Sequence, residues 1–186
     1  MGTILVLQEP LTMHQIIALL ADIPEKELDV KHFLQQFHSV LDPGTTAVFE
    51  NATPQMHKSF RDYITRGHAP TEFRIHTGEA HFATAKRCLE VIVQSGSQPD
   101  TNSEYSVSNW HRHLQGAVEG GVTCEDEKVW TLLEEAVVNM RVGDSSSVFC
   151  RVATAGWGLL KRDGNKYAME RISSILTKAK EVCTFS

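Results

Sequence analysis

Met56-His57-Lys58-Ser59-Phe60-Arg61-Asp62-Tyr63 decides how the chain is read. Met56, Phe60, Tyr63 and Ile64 repeat at helical spacing and predict one buried stripe. Thr53-Pro54 suggests the helix start, a cap followed by proline at the first helical position. Gly67 supplies the C-terminal stop. His57 stands at the mouth of this stripe. Arg61-Asp62 reads as a surface pair tying the segment to a neighbouring helix.

Working upstream, Ile4-Leu5-Val6-Leu7 is a four-residue apolar run that Pro10 ends. Thr12 and Gln15 have the spacing of a capping box. Met13, Ile16, Ile17 and Leu20 follow as a helical stripe that Pro24 stops. A second helix starts near Asp29, with Val30, Phe33, Leu34, Phe37, Val40 and Leu41 on one continuous face, and Pro43-Gly44 turns the chain. Ala47-Val48-Phe49-Glu50 leans towards β-structure and suits one arm of a hairpin packed on helices. Phe73-Arg74-Ile75 alternates, as a second wing strand or as a docked extended segment. Helix, helix, hairpin and His-led helix in this order predict an N-terminal winged-helix-like domain over about residues 4–78.

Downstream, Thr77 is the expected cap of a helix from about Glu79 to Gln94, with Ala85, Cys88, Leu89 and Ile92 inward. The stretch Ser95-Gly96-Ser97-Gln98-Pro99 reads as a linker. The expected organisation is a winged-helix-like domain with its following helix at 1–94, a linker at 95–104 and a helical bundle at 105–186. The bundle stripes are Tyr105, Trp110, Leu114 and Val118, then Val129, Trp130, Leu133, Ala136, Val137 and Met140. Phe149, Val152, Trp157 and Leu160 follow, then Ile172, Ile175, Leu176 and Ala179. The fold class is mainly α with a small β-hairpin wing.

The 186 residues are enough for one domain or two small ones, and 41% hydrophobic with 22% charged residues is ordinary for a globular protein. A net charge of −5 argues against a nonspecific nucleic-acid binder, which normally carries a basic face. Lys31, Gln35, Gln36 and His38 are thin material for a helix that reads a groove. Cys88, Cys124, Cys150 and Cys183 show no paired zinc spacing and read as small buried thiols. His76 and His81, and His111 and His113, are not spaced to share one helix face, so no metal site is expected. Trp110, Trp130 and Trp157 are assigned to core packing. The first apolar run is too short for a signal peptide or membrane span. Val6 stands where a myristoylation motif has Ser or Thr. The expectation is a cytoplasmic protein without membrane contact.

Several linked motifs then stand in one order: Gln8-Glu9-Pro10-Leu11-Thr12, Phe37-His38-Ser39-Val40-Leu41, His57-Lys58-Ser59-Phe60-Arg61-Asp62-Tyr63, Ala80-His81 with Arg87-Cys88-Leu89, and Tyr105 with Trp110 and His113-Leu114. The series, over roughly residues 4–115, resembles the winged-helix and helical region that follows the NACHT nucleotide-binding core of fungal NLR-like signalling ATPases, the STAND class. The resemblance implies a region that folds back on a nucleotide-bound core and moves when a signal arrives. Met56-His57 looks like the Met-His pair of the winged helix in related plant NLR proteins, whose histidine contacts the β-phosphate of ADP. Carried over, His57 is the cofactor-binding residue; Lys58 stands where that motif has Asp.

No G-x-x-x-x-G-K-[ST] loop occurs in these residues. ADP or ATP is therefore expected only together with a NACHT core, which is the expected protein partner. The resulting expectation is a non-catalytic regulatory and protein-interaction module. Two alternatives follow from the residues themselves: a small helical enzyme using His57, Asp62 or His113 as acid and base, and a nucleic-acid-binding winged helix. His57 also suits a plain helix N-terminal residue bonded to backbone.

Overall fold

A computed structural model describes residues 2–20, 36, 39–41, 53, 55–96, 103–123, 126–139 and 170–178. The described chain is mainly helical. In order it comprises α1 (Gly2–Val6), α2 (Met13–Leu20), α3 (Lys58–Thr65), a 3₁₀ turn (Thr71–Phe73), α4 (Thr77–Ser95), α5 (Glu104–Glu119) and α6 (Glu127–Asn139). Residues 170–178 are also helical. Most of the helix expected near Asp29, the wing arm at Ala47–Glu50 and the stripe from Phe149 to Leu160 fall outside the described residues; of that helix, Gln36 is helical, whereas Val40 lies in a turn and Leu41 in a bridge.

The capping box forms at α2: the Thr12 amide donates to Gln15 Oε1 (2.9 Å) and the Gln15 amide to Thr12 Oγ1 (3.3 Å). Its buried face is Met13, Ile16 and Leu19, while Ile17 is 39% exposed. The stripe is turned towards α4, where the largely buried Arg87 donates from Nε to the Leu19 carbonyl (2.5 Å). That bond satisfies one of the carbonyls a helix end leaves open.

α3 starts at Lys58, later than the Thr53-Pro54 signal. Leu41 and Met56 form an isolated antiparallel bridge, and the His57 amide donates to the Val40 carbonyl (2.8 Å). This pairing keeps Met56 and His57 out of the helix. It also differs from the expected wing arms: Leu41 was assigned to a helix end and Met56 to a helical stripe. Phe73-Arg74-Ile75 takes the docked form. Arg74 is extended after the 3₁₀ turn, and the Ile75 amide donates to the Ile64 carbonyl (3.0 Å). Gly67 has φ +79° at the α3 exit, the left-handed turn its position called for. Tyr63, expected inside, is 43% exposed and lies beside Phe60.

One main core runs from Ile4 through Leu89, Trp110 and Leu133 to Ile175. Core residues from both sides of 95–104 therefore share one cluster. A satellite core of Leu5, Val6, Met56, Ile64 and Ala80 seats α3 on α1 and α4. Residues 170–178 are tied to α6 by Arg171 and Lys178, both paired with Glu134.

α4 and α5 are antiparallel, with Gly78 against Gly120 and His81 against Gly116. A β-carbon on Gly78 would sit 2.8 Å from the carbonyl carbon and oxygen of Gly120. Helix propensity favours alanine over glycine by ~1 kcal/mol, yet this neighbour is backbone and cannot turn aside. Overpacking costs about 1–3 kcal/mol. Gly78→Ala is thus expected to lower the stability measured by urea unfolding. A gain in stability would mean that the two helices part freely.

Candidate functional site

The residues singled out in the sequence gather in three places: the tip of α3, a groove beside it, and a polar chain through the core. At the tip, His57 is exposed and caps α3. Its Nδ1 accepts the Ser59 amide (3.3 Å) and lies 2.7 Å from Ser59 Oγ. A neutral imidazole with Nδ1 as acceptor carries its proton on Nε2. The capping role matches the plain helix-end reading. It also leaves Nε2–H as a donor on an exposed residue.

Asp62 pairs with Arg66 one turn on (3.3 Å), and among the described residues with no neighbouring helix. Both line a groove of about 340 Å³ between α1, α3 and α4, with Arg61, Thr65, Thr77 and His81.

His81 leads from the groove into the core. Its Nδ1 is 3.0 Å from Nδ1 of His113, whose Nε2 is 2.8 Å from the Tyr105 hydroxyl. Tyr105 Oη accepts the Gln8 backbone amide (3.2 Å). One assignment of hydrogens satisfies this chain throughout: Tyr105 O–H donates to His113 Nε2, and His113 Nδ1–H donates to His81 Nδ1. Gly116 makes room for it, because a β-carbon there would lie 2.7 Å from the His81 ring.

His113 is fully buried. Burial, reinforced by the neighbouring His81 and His111, pushes its pKa down to about 3. Burial also lowers His81, against the pull of Glu119, and raises Tyr105 well above the ordinary phenol value. All three side chains are neutral near pH 7.

Tyr105 borders a second, larger cleft of about 520 Å³ between the 9–15 segment and α5. There the buried Asn109 donates to Glu9 Oε1 (2.7 Å), and Arg112 lies 3.5 Å from Asn109 Oδ1. Elsewhere in the core, Cys88 is buried and free, its thiol pushed up to about 12 by burial. This is the inert thiol its stripe predicted.

The three candidate acid–base residues thus have separate partners: His57 bonds Ser59, Asp62 pairs with Arg66, and His113 bonds His81 and Tyr105. The His81–His113 contact was missed because histidine spacing was weighed within single helices, whereas these rings meet across two. The signal was present in the stripes. His81 lies four and seven residues before the inward Ala85 and Cys88, and His113 four and eight after Asn109 and Tyr105.

Among the described residues no group of three or more potential ligands could hold a metal ion. None of their helices is long and apolar enough to cross a membrane. No known protein family, curated protein or solved structure matches the chain.

Proposed function

We propose that this chain is a non-catalytic regulatory and protein-interaction module of an NLR-like signalling switch, acting on a NACHT-type nucleotide-binding core. Its N-terminal part is winged-helix-like in this proposal, with the hairpin around Ala47–Glu50; the Leu41↔Met56 bridge, which pairs the chain on either side of that segment, supports this. One observation carries the reading: Met56 is buried in that bridge, while the adjacent His57 is exposed at the start of α3 with Nε2–H free to donate. A sensor needs this division between an anchored residue and a presented one. The partner is the core protein, and ADP or ATP is contacted only when that core supplies it.

The helix start adds the positive end of its dipole to the imidazole donor. A hydrogen bond to a charged phosphate contributes about 1.5–3 kcal/mol. That biases a two-state equilibrium about tenfold or more, without itself binding a nucleotide. The test is to add the chain to a NACHT core loaded with fluorescent ADP and follow ADP release. Release is expected to slow about tenfold, and His57→Ala is expected to abolish the effect while still forming the complex. No complex and an unchanged release rate would overturn the proposal. Turnover of a substrate that depends on His57 would replace it with the acid–base reading.

A further inference from the structure

Two cavities, one between α1, α3 and α4 and the other between the 9–15 segment and α5, are joined by an unbroken line of side chains. His81 borders the smaller groove, Tyr105 borders the larger cleft, and His113 lies between them in the core. The two links span 3.0 and 2.8 Å, both hydrogen-bond distances along which a proton can pass.

We propose that Tyr105, His113 and His81 form a proton relay that connects the large cleft to the groove beside α3.

The steps balance as follows. A proton from the cleft binds Tyr105 Oη, and the original hydroxyl proton leaves Oη for His113 Nε2. His113 releases its Nδ1 proton to Nδ1 of His81. One proton has entered, His113 is neutral again with its proton moved to Nε2, and the positive charge rests on His81. His81 then discharges Nε2–H into the groove. The cleft and groove waters are the proton donor and acceptor, and no redox partner is needed.

The charged groups around the path suit this end point. His81 faces Glu119 from α5, and Arg61, Asp62 and Arg66 from α3 share its groove. His113 faces His81 from α4 and His111 from its own helix. Tyr105 faces Glu9 from the N-terminal segment and Arg112 from its own helix. Burial opposes charge at both histidines, but most at His113, so His113 passes the proton without holding it, and the half-buried His81, pulled the other way by Glu119, carries the charge at lower cost. Gln8 donates to Oη in both hydrogen arrangements, which keeps the phenol in place.

The full chain, ¹⁵N-labelled, would be followed by histidine side-chain NMR from about pH 8 to about pH 5, the range in which histidines titrate. The expected result is a single coupled event. As His81 becomes doubly protonated, the bare nitrogen of His113 changes from Nε2 to Nδ1 with the same midpoint, and His113 gains no charge. Tyr105→Phe is expected to uncouple the two, because the phenol oxygen no longer accepts from Nε2–H. A His113 tautomer that stays fixed while His81 titrates would overturn the relay. So would loss of the folded spectrum before His81 titrates.

Discussion

Trp110→Ala is expected to destabilise the chain by about 3–5 kcal/mol, the range for removing a large buried aromatic. Trp110 is fully buried, inside the cluster that includes Leu89, Leu114 and Leu133. Globular domains are stable by only about 5–15 kcal/mol, so the change threatens folding itself. The midpoint of urea unfolding should fall sharply with the slope unchanged. Trp110→Phe should cost much less. The ring volume is largely kept, and the indole N–H has no acceptor among the described residues, so its removal breaks no bond there. Equal losses from both substitutions would show that the indole nitrogen, not volume, matters at this position.

The second large effect is acid sensitivity through His113. Its folded pKa is about 3, below the unfolded value of about 6.5. Above pH 6.5 neither state holds the proton, and stability does not respond. Below it the unfolded chain takes a proton that the folded chain refuses. Stability therefore falls as pH drops from about 6.5 to about 3, by about 1.4 kcal/mol per unit and roughly 4–5 kcal/mol in all. His81, also lowered, adds in the same direction. Urea unfolding at several pH values should show this slope, and His113→Leu should flatten it while lowering stability at neutral pH. A slope shared equally by wild type and variant would assign the acid response to other groups.

The helical framework was legible wherever a stripe was long. The inward faces of α4, α5 and α6 follow their 3.6-residue periodicity, with Cys88, Leu89, Trp110, Leu114, Val129 and Val137 all buried. Short helices were harder to read. Over the eight residues of α2 or α3 a stripe is fixed by few positions: the α2 face takes in Leu19, and the Leu41–Met56 bridge delays the start of α3 to Lys58. Local chemistry carried through where both partners are close in sequence, as at Thr12 and Gln15. The site was only half legible. The exposed histidine at the α3 start announces itself by position, whereas the His81–His113–Tyr105 chain needs the register between two helices. Small residues set that register without any periodic mark of their own.

The seam of Gly78, Gly116 and Gly120 has a consequence for motion. Where the Gly78 and Gly120 backbones touch and Gly116 closes on the His81 ring, a slide by one turn would bring bulkier residues into collision. Shear between α4 and α5 is therefore shut off, and the pair moves as one girder. A push on α3, which is seated on α4, is then passed on by the pair swinging as a lever about its ends.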